Sequence, residues 1–137
     1  MFQFTLKIWT FPNTAIGLVL SLVNLLFGGK IQIVDGCIEG HGAMIAKLLS
    51  LAPTGGGAGA AAMTLGHCII GVNTDVLEVV REHEHVHVKQ YERWGPLFIP
   101  AYFIASIVAW YQGKHPYLDN AFEVEAYALT SNNESSN

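Results

Sequence analysis

The chain has 137 residues, enough for one compact domain with a real core and too few for a separate regulatory module. Hydrophobic residues make up 51% and charged residues only 13%, about half the charged share of an ordinary soluble domain, which points toward a membrane. The formal net charge is -4 and the seven Lys and Arg residues are scattered rather than gathered into a stripe, which argues against a nucleic-acid partner.

From Asn13 to Phe27 the chain is apolar and uncharged for about fifteen residues, short of the roughly twenty that cross a bilayer upright. Trp9 and Phe11 before it and Lys30 after it follow the order of aromatic and basic anchors at a membrane interface. A secreted chain with a signal peptide is the competing reading. Against it, Lys7 is the one side-chain cation ahead of the run, and Phe27-Gly28-Gly29 offers no small-x-small cleavage site. The expectation is a retained apolar helix over about 13–28 that associates with a membrane.

The stretch KIQIVDGCIEGHG then alternates apolar and polar residues around Asp35-Gly36, which predicts two strands joined by a tight hairpin turn. Residues Met44 to Leu51 are apolar and of open type, and PTGGGAG at 53–59 reads as a mobile loop. The β-branched and apolar segment from Ala61 to Val72 predicts a third strand. Cys37 and Cys68 lack CxxC spacing and lie in short apolar stretches, so both are expected as buried free thiols.

Asn73 or Thr74 can cap a helix from Asp75 to about Trp94, with Asp75 and Glu78 in the first turn and Gly95-Pro96 ending it. A second, strongly apolar helix runs from about Leu97 to Tyr111 and is expected to bend near Pro100. Asp119 or Asn120 caps a third helix through about Leu129, and residues 131–137 read as a disordered tail. Together these predict an α+β fold over 1–130, with a small antiparallel sheet of about three strands and three to four helices.

Residues 83–87 read HEHVH and satisfy HExxH. Two histidines four apart project from one helical face, so His83 and His87 can share a tetrahedral zinc ion. Glu84 lies about 100° around the helix, placed to act as general base on a water that the metal activates. His85 is turned about 200° from His83 and is expected on the outer surface. Val76, Val79, Val80, His83, His87 and Tyr91 recur at helical spacing, which puts both histidines on the buried stripe.

A catalytic zinc site wants a third protein ligand and an open position. Glu123, Glu125 and His115 are the downstream choices, with His41 and His67 behind them. Glu123 is also three residues after Asn120, where it could serve as a capping-box residue and leave Glu125 as the ligand.

HEHVH followed by FEVEAYA resembles the gluzincin metallopeptidases, in which HExxH on one helix is completed by a glutamate on a later one. The resemblance covers roughly Asn73 to Leu129. It is similar in flavour to membrane-embedded zinc endopeptidases whose later motif is glutamate, two residues, alanine and aspartate. Glu123, Val124, Glu125, Ala126 and Tyr127 occupy those places, which implies Glu123 as the ligand.

Tyr127 departs from that pattern, standing where an aspartate would orient a ligating histidine. Glu125, Asp119 or Glu92 could take over that support, and Tyr127 or Tyr91 could donate to an oxyanion. The resemblance also implies that the segment from Ala61 to Val72 binds an extended substrate by edge pairing. The chain further resembles a family of small bacterial membrane-associated proteins, which lends no activity.

Three functions follow as expectations. The first is a zinc-dependent hydrolase, a peptidase acting on peptide or protein substrates. The second is a non-catalytic metal-binding or structural membrane-associated protein. The third is a membrane-surface interaction protein whose histidines are merely buried.

Overall fold

Asp35 and Gly36 both take positive φ, 49° and 79°, the two left-handed residues that a type I′ turn requires. They close a hairpin between β1 (Lys30–Val34) and β2 (Cys37–His41). In the computed structural model, which describes residues 1–54 and 58–135, a second hairpin stands where a single strand was expected. Gly66 (φ 63°) and His67 turn the chain between β3 (Ala62–Leu65) and β4 (Cys68–Gly71). The dipeptide lacks the Asn-Gly or Asp-Gly signature, and the unbroken apolar run on either side of it hides the turn.

The sheet order is β1-β2-β4-β3. β4 lies parallel to β2, while the two hairpins are antiparallel. The sheet is therefore four-stranded and mixed, not a three-stranded antiparallel one. After α2 (Ala43–Ser50) the chain re-enters the sheet at the end where β2 leaves it, and β3 runs back so that β4 starts beside the beginning of β2 and lies parallel to it. Ile45 and Leu49, one turn apart on α2, are buried against Leu65, Cys68 and Ile70.

Side-chain alternation gives the sheet two different faces. Ile38, Gly40, Leu65, Cys68 and Ile70 face α1 (Phe2–Leu26) and α2. Cys37, Glu39, Ile69 and Thr64 face α3 (Thr74–Trp94), whose Leu77 and Val88 pack onto them. Glu39 is buried on this face with its oxygens taken by Arg81 and Gln32. Cys37 and Cys68 are buried and free.

α1 runs from Phe2, well before the expected start, and carries Pro12 inside it. Its inward side is polar: Thr10, Asn13, Ser21 and Asn24 are all buried. Asn13 donates to the Gly95 carbonyl at 3.1 Å and Asn24 to the His41 carbonyl at 2.8 Å. The His67 amide donates to the Thr14 hydroxyl, its Nδ1 pairs with Thr10, and its Nε2 pairs with Glu92 of α3. These contacts hold the helix through the proline, where a backbone bond is lost.

A 3-10 turn (Gly95–Leu97) joins α3 to α4 (Phe98–Tyr111). Pro100 falls in the first turn of α4, where its missing amide hydrogen has no helical partner to lose. The change of direction therefore lies at Gly95-Pro96 rather than inside the helix. Gly95 has φ 56° and ψ -134°, and a Cβ there would run into the Trp9 ring. Gly95→Ala is expected to destabilise the fold by more than about 1 kcal/mol, read as a lowered thermal midpoint.

Asn120 caps α5 (Ala121–Glu134), its Oδ1 accepting from the Phe122 amide at 2.9 Å. The helix continues past Leu129, so residues 131–134 are helical rather than part of a disordered tail. Residues 136–137 and the centre of the expected glycine loop, 55–57, lie outside the described residues. Two segments, Phe4–Leu26 and Thr74–Tyr111, are long and apolar enough to cross a membrane.

Candidate metal centre

Asn73 caps α3, its side chain accepting from the Val76 amide, and Asp75 sits in the first turn as the helix dipole favours. That fixed start sets the rotation of the helix, which aims His83 and His87 at α5. Gln90 and Trp94, further along α3, hold α5 in place through the Phe122 carbonyl and ring. Glu123, one residue on, is thereby carried to the histidine pair.

The three donor groups form a small triangle. His83 Nε2 is 3.2 Å from His87 Nε2 and 3.1 Å from Glu123 Oε2, and His87 Nε2 is 3.4 Å from Glu123 Oε1. Ligands about 2.1 Å from one ion at tetrahedral angles stand roughly 3.4 Å apart. Two imidazoles and one carboxylate at this spacing therefore fit a divalent cation. Among the described residues this is the one group of His, Cys, Asp and Glu with that convergence.

The tautomer of His87 fits too. Gln90 gives both amide hydrogens away, to the Phe122 carbonyl and to Glu125 Oε2, so its oxygen is the acceptor facing His87 Nδ1 at 2.8 Å. With Nδ1 donating to Gln90, Nε2 is the nitrogen that faces the triangle; it hydrogen-bonds Glu123 there and would offer its lone pair to a cation bound in place of that proton. Gln90→Leu is expected to weaken the hold of this group on a divalent cation about 10–100-fold, measured by chelator competition, because the ring loses its orienting partner.

Tyr102 of α4 donates to Glu123 Oε1 at 2.7 Å. Burial by itself would push the Glu123 carboxyl up, but hydrogen bonds from His83, His87 and Tyr102 outweigh it and hold the group down at about 2. Glu123 is therefore an anion throughout the neutral range, as a cation ligand must be.

Glu84 is buried and stays outside the triangle. Thr64 of β3 donates to its Oε2 at 2.7 Å, which pins the carboxylate beside the edge strand. A cavity of about 330 Å³ opens over this spot, lined among others by Val79, Val80, His83, Glu84, Tyr117 and Tyr127. Val79 is exposed rather than buried, because the expected apolar stripe forms one wall of that cavity. Tyr127 lies against the His83 ring, with centroids 4.5 Å apart. Tyr117 bonds Tyr127, and burial together with the Glu123 charge raises its hydroxyl far above the usual range, so it remains a donor.

The structure places other candidates elsewhere. Glu125 points to Gln90 and Arg93, outside the triangle, because two residues on a helix is a turn of about 200°. Tyr91 is buried against Phe98 and does not reach the cavity. His115 Nδ1 accepts from the Tyr117 and Leu118 amides, and Asp119 accepts from the His115 amide. His41 pairs with Thr74, and His67 and Glu92 with each other. His85 points away from the triangle as expected, but it is half-buried beside Cys37 and Glu92 in a separate cavity of about 110 Å³, not on the outer surface.

Thr64, Gln90, Tyr102 and Tyr117 were not singled out from the sequence. Only Gln90 had a signal, lying three residues after His87 on the same helical side. Comparisons with protein-family models, with curated proteins and with solved structures find no match to this chain.

Proposed function

We propose that the chain is a zinc-dependent hydrolase that cleaves peptide bonds at a membrane surface. The observation that carries this reading is the convergence of His83, His87 and Glu123 beside a fourth group, Glu84, that is buried, free of the triangle and open to the same cavity. A zinc ion held by the three ligands would act as a Lewis acid on the scissile carbonyl and ease the deprotonation of water.

Every other part of the chemistry belongs to the chain. Glu84 takes the proton from the attacking water and returns it to the leaving amine, with Thr64 keeping the carboxylate aimed. Tyr117 and Tyr127 are hydrogen-bonded to each other, and the one hydroxyl hydrogen this pair leaves free is supplied toward the carbonyl oxygen as charge develops on it. Val79 and Val80 give the cavity an apolar wall for one substrate side chain.

The edge strand supports a peptide substrate. Val72 donates to the Ala61 carbonyl, so ladder bonds fall at Ala61, Met63 and Leu65. The peptide groups of Ala62 and Thr64 then point away from β4, along the outer side of the last strand in the sheet. An extended backbone laid there would pass Glu84.

Membrane association is supported by polarity that runs inside out. On α4, Tyr102 and Ser106 face inward to Glu123 and Asn120, while Phe103, Ile104 and Ile107 are exposed. α1 repeats the pattern, and its inward polar side chains hold the Gly95 and His41 carbonyls and the His67 amide. Removing α1 would orphan those groups, which favours a retained helix over a cleaved signal.

The test is cleavage of a broad peptide library by zinc-loaded protein. Cleavage that a chelator abolishes and added zinc restores is the expected result. Retained zinc without any cleavage would instead make the chain a metal-stabilised membrane protein.

A further inference from the structure

We infer that Tyr102 is a positioning residue that confines Glu123 to one ligand oxygen, Oε2, and thereby keeps one position of the metal centre open. The inference rests on the zinc site proposed above and says how that site is held in a catalytic form.

Both oxygens of Glu123 lie near the histidine pair: Oε2 is 3.1 Å from His83 Nε2, and Oε1 is 3.4 Å from His87 Nε2. Nothing in the triangle alone makes the carboxylate meet a cation through one oxygen rather than both. The difference sets the kind of site. Two imidazoles and one oxygen leave the fourth tetrahedral position free, as a hydrolytic zinc needs, whereas two imidazoles and both oxygens fill all four and make a closed, structural site.

Tyr102 breaks that symmetry. An ionised carboxylate has no proton to give, so the phenol is the donor in the 2.7 Å contact with Oε1. A charge-assisted bond of that length is one of the strong ones, and it engages the electron density that Oε1 would otherwise offer a cation. Among the described residues the one hydrogen bond of Oε2 is with the His83 ring, at the place a cation would take.

The phenol is also held in place. Its ring packs against Phe98 and Phe122, with centroids 5.9 and 6.2 Å away, and lies 17° from parallel to the Phe122 ring. Its backbone carbonyl accepts from Asn120 Nδ2 at 3.0 Å, and the same amide group donates to the Ser106 hydroxyl one turn further along α4 at 2.8 Å. Asn120 is fully buried, and its oxygen caps α5. α4 and the first turn of α5 are therefore one piece, and the hydroxyl stays against Oε1.

Tyr102→Phe keeps the ring and removes this bond. Oε1 is then a buried anionic oxygen without its donor, and the nearest replacement is the cation itself. Loss of an orienting partner ordinarily weakens metal binding about 10–100-fold, as expected for Gln90→Leu. Here the second oxygen offsets that loss, so zinc affinity stays near wild type while the centre closes.

The experiment compares infrared difference spectra of the full chain, zinc-loaded minus zinc-free, for wild type, Tyr102→Phe and Ser106→Ala. The gap between the antisymmetric and symmetric carboxylate stretches is wide for a carboxylate bound through one oxygen and narrow for one bound through two. A wide gap in wild type and in Ser106→Ala, with a narrow gap in Tyr102→Phe at the same zinc stoichiometry, is the expected result. Tyr102→Phe should also lose kcat on any peptide that the wild type cleaves.

A narrow gap in the wild type overturns the inference before any variant is made. An unchanged wide gap in Tyr102→Phe, with or without weaker zinc binding, leaves the tyrosine as ordinary support and overturns it as well. A gap that narrows equally in Ser106→Ala would assign the effect to the docking of α4 rather than to the hydroxyl, with the same consequence. Wild type that takes up no zinc overturns the metal reading and this inference with it. Zinc-loaded wild type that cleaves nothing fails the hydrolase reading alone, because the infrared comparison still decides for or against Tyr102.

Discussion

On the proposed hydrolase reading, Glu84→Gln is expected to keep zinc at the wild-type stoichiometry and to lose about 10²–10⁴-fold in kcat, the usual contribution of a positioned general base. The amide matches the carboxylate in size, and its oxygen can still accept from Thr64 at the place where Oε2 now does. Because Glu84 is not part of the ligand triangle, all three candidate ligands stay in place. The paired readouts are zinc content of the purified variant and initial rates on a cleaved library peptide. A variant that loses zinc as fully as His87→Ala would contradict the division of labour between Glu84 and its neighbours.

The second large effect concerns Glu123, the third ligand of the proposed zinc site. Zinc sites in small proteins bind with roughly 10–16 kcal/mol, so a share of about 3–4 kcal/mol falls to each ligand, on the order of 10²–10³-fold in affinity. Glu123→Ala should lose at least that much. The same change also leaves Tyr102 without its acceptor and His83 and His87 without their carboxylate. Glu125→Ala should retain tight binding, with only the indirect loss that comes through Gln90. Chelator competition separates the two, and the reverse ranking would move the third ligand to Glu125.

Legibility in the sequence followed the range of the interactions. His83 and His87 could be paired because a single helical turn decides their separation. The choice between Glu123 and Glu125 could not be made locally, since both lie in one helical turn on opposite sides, and only the docking of α5 on α3 selects one. Tyr102 and Tyr117 reach the site from α4 and the following turn, through contacts that no spacing encodes.

The hairpin at Asp35-Gly36 announced itself through two residues that accept positive φ. The one at Gly66-His67 did not, because its apolar flanks read as one strand. α1 was underestimated for a related reason. Its inward side is polar, and Thr10 and Asn13 beside Pro12 read as a break when they are the anchoring residues.

His67 has its amide on Thr14, one ring nitrogen on Thr10 and the other on Glu92. A single turn residue thus ties together two helices that sit on opposite faces of the sheet. The tip of that hairpin cannot fray while either helix stays in place, so β3 belongs to the same cooperative unit as both. Slow amide exchange would extend to an outermost strand, where fast exchange is the rule, and the platform beside Glu84 would be as rigid as the core beneath it.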